Sequence, residues 1–162
     1  MRAKRTFFVR HGSYESAGLT EAGKREAEGA AHALARLGLE ATTTLVHSSH
    51  HLRAVQTAEV IVRILGCEPC TSDEIVAMCG EHPDGVQDLD ATIDTAMCKQ
   101  GVDPKGKDLV VVTHMPLVSY LVHGDPYEPV PNCFIHEYNG TWNAQEYQRA
   151  PFGILLEELL RS

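Results

Sequence analysis

The sequence predicts an α/β fold built on a mainly parallel sheet, and three observations carry that expectation. Short apolar runs alternate with amphipathic helical stretches from end to end. The run Leu109-Val110-Val111-Val112 is continuously apolar, as a strand covered on both faces must be. A second such run, Phe7-Phe8-Val9, stops abruptly at Arg10-His11-Gly12. In open α/β sheets ligands bind just beyond the carboxyl ends of strands.

The elements follow in order. Thr6 to Val9 reads as the first strand. Thr20 stands where a helix N-cap is expected, with Glu21 in the first turn. Ala27, Ala30, Ala31, Leu34 and Leu37 then repeat at helical spacing, and Gly38 closes the helix. Thr43 to Val46 is short and β-branched, a second strand whose end, His47-Ser48-Ser49-His50-His51, leads into another helix. Val55, Ala58, Val62 and Leu65 form one face of that helix and Gly66 stops it.

Ile75-Val76-Ala77 is a weak strand, followed by a polar loop from Gly80 to Gly85 and a helix from Val86 to Lys99. The buried strand Leu109 to Thr113 ends at His114, and Pro116 is well placed at the first turn of a helix reaching Val122. Cys133 to Tyr138 and Trp142 to Tyr147 read as two strands of a C-terminal β-hairpin joined by Asn139-Gly140. Asn-Gly is the preferred pair for a two-residue hairpin turn. The tail Ile154 to Leu160 closes the chain as a helix or strand cover.

Composition narrows the function. At 162 residues with 43% hydrophobic and 22% charged content, the chain fits one domain over 1–162 with a substantial core. No apolar run reaches the length of a transmembrane helix. The basic start Met1 to Arg5 is followed by too short an apolar stretch for a signal peptide, so a cytoplasmic location is expected. A net charge of −8 argues against a nucleic-acid partner, which requires a basic face. Cys67 and Cys70 form a C-x-x-C pair among five cysteines. The pair follows a helix rather than opening one, so it reads as two semi-buried thiols and not as a redox or zinc motif.

Three strand ends carry residues suited to one anion: Arg10 and His11, the segment 47–53 with Arg53, and His114. Arginine offers a rigid cationic fork for phosphate, glycine lets backbone approach a ligand, and histidine offers a nucleophilic nitrogen. Arg53 lies in the first turn of its helix, where free N–H groups and the dipole already favour negative charge. Two arginines and two histidines suit a trigonal phosphoryl transition state, whose charge spreads over three equatorial oxygens. Taken singly, each has an ordinary reading: His114 as a core histidine, Arg53 as a solvated helix residue, Arg10-His11-Gly12 as a turn. The run His47, His50, His51 invites a metal site, but no paired ligand spacing occurs elsewhere, so no metal is expected. His32, His82, His123 and His136 receive no functional role.

At these residues the chain resembles the histidine phosphatase superfamily, once grouped with the phosphoglycerate mutases. The matching segments are Arg10-His11-Gly12, Ser49-His50-His51-Leu52-Arg53-Ala54-Val55-Gln56-Thr57-Ala58-Glu59 and Val112-Thr113-His114. Leu19-Thr20-Glu21-Ala22-Gly23 is similar to the family's leucine-threonine-x-x-glycine segment, and His50 stands where proline is common. The resemblance implies a three-layer α/β/α, phosphoglycerate mutase-like fold. It also implies that His11 is the nucleophile, transiently phosphorylated, with Arg10 and Arg53 clamping the phosphoryl oxygens and His114 donating to them. Gly12 and Met115 then complete the phosphate-binding set. No metal or cofactor is implied. A backbone carbonyl on one His11 ring nitrogen would fix the tautomer; which nitrogen attacks stays open at the level of sequence.

Family members that act on phosphate esters carry an acidic proton donor in the loop after the third strand. Here that position falls near Met78, with Glu81 and Asp84 as the possible acids. An alkoxide leaving group needs a general acid, whereas imidazole, with a conjugate-acid pKa of about 6.5, departs easily. A chain without a dedicated acid suits a protein-borne phosphohistidine, which points to the SixA-type phosphohistidine phosphatases. His114-Met115-Pro116-Leu117-Val118-Ser119-Tyr120-Leu121 is similar to that branch's segment. The resemblance then implies a transient partner, a phosphorylated histidine-phosphotransfer domain or other phosphoprotein. The alternatives are a small-molecule phosphomonoesterase using Glu81 or Asp84, and a binder of phosphate or phosphohistidine that does not turn it over.

Overall fold

A computed structural model of the chain describes residues 3–71 and 89–138. The main sheet contains β1 (Arg5–Arg10), β4 (Thr44–Ser48), β5 (Pro69–Thr71), β6 (Asp108–Thr113) and β7 (Ile135–Tyr138), in the order β5-β4-β6-β1-β7. The first four run parallel, and β7 pairs antiparallel with β1. A two-stranded ribbon of β2 (Tyr14–Glu15) and β3 (Gly18–Leu19) follows β1. The helices are α1 (Glu21–Arg36), α2 (Leu52–Leu65), α3 (Leu89–Lys99) and α4 (Met115–His123).

Alternation along the central strands builds three layers. Phe7 and Val9 of β1, with Val110 and Val112 of β6, face a cluster completed by α1 and α2. Phe8, Leu109 and Val111 point the other way, onto α3 and α4. Both faces are covered, so these strands read as unbroken apolar runs. The mainly parallel sheet and α/β/α layering predicted from sequence are therefore observed.

Local chemistry places the helix ends. The Thr20 hydroxyl accepts a hydrogen bond from the Gly23 N–H at 3.0 Å, the capping contact expected of it. Gly66 ends α2 in the left-handed region at φ +82, and its N–H donates to the Val62 carbonyl. Pro116 sits in the first turn of α4. At the far end of the sheet, Arg5 grips Asp108 in a fork with contacts of 2.8 and 2.7 Å, joining the starts of β1 and β6.

Some expectations shift. β4 extends two residues past Val46, so His47 is a buried strand residue rather than part of the loop before α2. Strand β5 occupies Pro69–Thr71, where the sequence suggested no strand, and begins with its proline at the edge of the sheet among the described residues, where a missing N–H is tolerated. Strand β7 begins at Ile135 instead of Cys133. The Ile75–Ala77 strand, the Gly80–Gly85 loop, the start of the Val86 helix, Trp142–Tyr147 with its turn, and the tail all lie outside the described residues. No helix among the described residues is long and apolar enough to cross a membrane.

Candidate active site

The topology brings three strand ends together. β6 lies between β4 and β1, so Arg10, Ser48 and Thr113 finish side by side at the carboxyl edge. The chain continues into His11 from β1 and His114 from β6, and through Ser49 into α2 from β4. Main-chain bonds lock this edge: His11 N–H donates to the Thr113 carbonyl at 2.9 Å and Ser49 N–H to the Val112 carbonyl at 3.2 Å. On the other side, Cys133 N–H donates to the His11 carbonyl at 3.3 Å.

His11 is 5% exposed, and both ring nitrogens have partners. Nδ1 lies 2.9 Å from the Gly12 carbonyl oxygen, which can only accept, so Nδ1 carries the proton. Nε2 receives the Nε–H of Arg53 at 3.2 Å and is therefore the nitrogen with the lone pair. These two hydrogen bonds fix the tautomer of the ring. Burial is the main reason His11 is pushed down to about 4, with Arg53, Arg10 and His51 adding to it against the opposing pull of the Gly12 carbonyl. The ring is thus neutral at ordinary pH.

His114 faces His11 with ring centroids 5.2 Å apart. Its Nε2 lies 2.8 Å from the Ser49 hydroxyl, and Ser49 is fully buried. Burial again dominates, helped by His11, Arg53, His51 and Arg10, and lowers His114 to about 3. His114 is also the N-cap of α4, and His51 the N-cap of α2. The amino ends of two helices therefore open at the same strand mouths, each with free N–H groups suited to an anion. Met115 is the first residue of α4.

Both arginines are held by their surroundings. Arg10 donates through Nη1 to the Val130 carbonyl. Its Nε is buried and has no hydrogen-bond partner among the described residues. Burial draws Arg10 down from its ordinary value, and Glu26 pulls it back up; a guanidinium stays cationic at neutral pH regardless. The Arg53 guanidinium stacks over the Tyr14 ring at 4.7 Å, and Tyr14 meets His11 edge-on at 5.2 Å.

Supporting contacts fix the loop after β1. Thr57, one turn beyond Arg53, accepts from Gly12 N–H at 3.0 Å and donates to the Arg53 carbonyl at 2.7 Å. Ser13 bonds Glu26 twice, at 2.8 and 2.7 Å. Gly12 and Gly23 are pressed together so tightly that a Cβ on Gly12 would lie 2.7 Å from the Gly23 carbonyl oxygen.

Arg10, His11, Gly12, Arg53, His114 and Met115 thus share one strand mouth, while Glu81, Asp84 and Met78 lie outside the described residues. Sequence reasoning gave no role to Ser49, Thr57, Tyr14 or His51. Thr57 stands four residues beyond Arg53 on α2, and that helical spacing was the available signal, whereas Ser49 lies before the helix in the link from β4. His51 packs edge-on against His114 at 5.0 Å, which nothing local foretells. Among the described residues no group of three or more His, Cys, Asp or Glu is arranged to hold a metal ion. Cys67 is a half-buried free thiol, and burial pushes the Cys133 thiol up to about 12.

Comparison with known proteins agrees with this picture. The sequence pattern of the histidine phosphatase superfamily (branch 1) matches residues 6–79. Comparison with curated proteins finds no match. Among solved structures, the fold is similar to mycobacterial glucosyl-3-phosphoglycerate phosphatase, with TM-score 0.55, 18% identity and coverage of 89% of this chain and 94% of that one. It is also similar to the candidate phosphohistidine phosphatase SixA from Agrobacterium tumefaciens (TM-score 0.54, 19% identity, 82% and 88% coverage). A third is a phosphoserine phosphatase mutant from Entamoeba histolytica, in complex with phosphoserine, with TM-score 0.55, 16% identity and 88% and 98% coverage. At these identities the likeness is one of fold.

Proposed function

We propose that this chain, which bears the histidine phosphatase superfamily pattern over residues 6–79, is a phosphohistidine phosphatase that works through a covalent intermediate on His11. The observation that carries the reading is the fixed tautomer of His11. Its Nδ1 proton is committed to the Gly12 carbonyl, and its Nε2 lone pair sits beside the Arg53 guanidinium. An imidazole so held attacks phosphorus without first losing a proton.

Arg10 and Arg53 take the equatorial oxygens, helped by His114 and the free N–H groups opening α2 and α4. The unpartnered Arg10 Nε–H is a donor that a phosphoryl oxygen satisfies. Nε2 of His11 forms a bond to phosphorus as the bond to the leaving group breaks, and water then hydrolyses phospho-His11 to free phosphate. The positive field comes from protein groups, so the proposed step uses neither metal nor cofactor.

The substrate we favour is a phosphohistidine on a histidine-phosphotransfer domain or other phosphoprotein in the cytoplasm. Imidazole is a good leaving group, and the stretch around Met78 offers no acid at the position where ester-cleaving relatives keep theirs. The test offers the protein a phosphorylated histidine domain beside a simple alkyl phosphate and follows release of label. Rapid loss from the histidine domain, with acid-labile phosphate trapped on His11, is expected. His11→Ala abolishes both, and Arg53→Ala weakens binding and rate together. Turnover of the alkyl phosphate alone would replace this reading with a phosphomonoesterase using Glu81 or Asp84. Bound but undiminished label would mark a binder.

A further inference from the structure

The two arginines of the proposed clamp are held in different ways. Arg10 commits Nη1 to the Val130 carbonyl. Among the described residues the Arg53 guanidinium is held at two points, through Nε to Nε2 of His11 at 3.2 Å and over the Tyr14 ring at 4.7 Å from its centroid. These two contacts are not equivalent. A hydrogen bond occupies a donor, whereas a ring face attracts the cation through its charge distribution and leaves every N–H available. They also differ in how long they last. Once Nε2 of His11 bonds phosphorus it has no lone pair left to accept from Arg53. That contact must lapse, while the one to Tyr14 can persist.

Tyr14 is itself fixed from both flanks. It opens β2, where it pairs with Leu19 of β3. The Leu19 N–H donates at 2.7 Å to Oε1 of Gln56, which stands three residues after Arg53 on α2. Gly18 lies so close to that amide that a Cβ there would be 2.3 Å from Gln56 Oε1. On the other flank Ser13 is bonded twice to Glu26, and its carbonyl accepts from the Thr20 N–H at 3.0 Å. The ribbon is thus tied to the helix that carries Arg53. The Tyr14 ring bridges clamp and nucleophile, meeting His11 edge-on with planes at 83°. It is half exposed, so core packing gives no reason for an aromatic there.

We propose that Tyr14 is a positioning residue: its ring, carried on the β2–β3 ribbon, holds the Arg53 guanidinium at the strand mouth while the Arg53 donors pass from His11 to the phosphoryl group. This rests on Arg53 binding phosphate, as in the reading above. It asks nothing of the Tyr14 hydroxyl, which makes the ring face the feature to test.

Two quantities are measured in each variant: the affinity for inorganic phosphate by calorimetry, and the rate of phospho-His11 formation from phosphoramidate. In Tyr14→Leu, phosphate binding is expected to weaken about tenfold and formation to slow by a similar factor. Tyr14→Phe, which keeps the ring, is expected to stay within about threefold of wild type on both. In an Arg53→Ala background, Tyr14→Leu is expected to change phosphate binding by less than about twofold, because the group it holds is gone. Wild-type binding in Tyr14→Leu overturns the proposal. So does an undiminished effect of Tyr14→Leu without the Arg53 side chain, or a Phe variant as impaired as the Leu one. Tyr14→Thr, whose side chain suits a strand, is expected to repeat the loss seen with Leu. Melting temperatures of the three variants are expected within a few degrees of wild type, and a loss of binding that tracks melting temperature across them would overturn the proposal. Wild-type protein that binds phosphate without forming phospho-His11 would overturn the covalent reading alone, and the binding cycle would still decide the role of Tyr14.

Discussion

The hydroxyl of Ser49 lies 2.8 Å from Nε2 of His114, and both residues are buried. A ring held this way keeps one orientation. Ser49→Ala removes the partner and leaves a buried nitrogen unsatisfied, at about 1–3 kcal/mol. The expected outcome is a lower urea midpoint together with kcat reduced about tenfold, while phospho-His11 still forms. Unchanged kcat would show that the orientation of His114 does not depend on Ser49.

The acid limb of activity follows from His11. Protonated Nε2 has no lone pair, so attack stops when the ring charges. With His11 held down to about 4, chiefly by burial, kcat/KM is expected to stay level from neutral pH to about 5 and to fall below it. Arg53 is one of the positive neighbours that lower His11, so in Arg53→Gln the limb moves to higher pH as the rate drops. A wild-type limb centred near 6.5 would contradict this environment for the nucleophile.

Stability is expected to weaken over the same acid range, with His47 as the diagnostic residue. His47 is 1% exposed, and neither ring nitrogen has a hydrogen-bond partner among the described residues. Burial lowers it to about 4, as it lowers His11 to about 4 and His114 to about 3. Below about 6.5 the unfolded chain takes up protons that the folded one refuses, so stability present above that pH is lost on acidification toward 4. Each histidine contributes a slope of at most ~1.4 kcal/mol per pH unit. His47→Leu replaces an unsatisfied polar ring by an apolar side chain. It is expected to stabilise the protein by about 1–2 kcal/mol at pH 7 and to flatten the acid slope in urea titrations between pH 4.5 and 7. Equal slopes in the two proteins would refute the role given to His47.

Two glycines of α1 should respond oppositely to the same change. A Cβ on Gly23 would lie 2.1 Å from the Ser13 carbonyl oxygen, whereas a Cβ on exposed Gly29 would meet nothing within 4 Å. Gly23→Ala is therefore expected to cost about 1–3 kcal/mol by overpacking and to disturb the loop carrying His11 and Gly12. Gly29→Ala is expected to gain about 0.5–1 kcal/mol from helix propensity alone. Melting temperatures and rates of the two variants, measured side by side, decide it.

What the sequence made legible was whatever local chemistry determines. Phe7-Phe8-Val9 and Leu109–Val112 were readable as strands because burial on both faces forces unbroken apolar runs. Arg10, His11, Arg53 and His114 were readable because charged groups at strand ends ask for a reason. Thr20, Gly66 and Pro116 announced their helix boundaries through capping and backbone geometry. Strand β5 was missed because three residues led by a proline hold no pattern of their own, and their pairing with Val46, His47 and Ser48 is a tertiary fact. His47 was taken for loop because its polarity hid a strand position that only the neighbouring β6 makes plain. Ser49, Tyr14 and His51 matter through partners 65, 39 and 63 residues away in the chain.

The pairing of β1 with β6 starts at Arg5 opposite Asp108 and continues without slip to Arg10 opposite Thr113. His11 and His114 are the next residues on each strand, so their separation is measured out by main-chain pairing and not by contacts between the rings. Side chains along the two strands are thus open to exchange among apolar residues of similar volume while the chemistry stays in place. Length is not open in the same way. One residue inserted into either strand would displace one histidine by about 3.3 Å and turn its side chain to the opposite face of the sheet. The pair of strands acts as a ruler anchored at its far end by the Arg5–Asp108 clasp, and what it conserves is a distance.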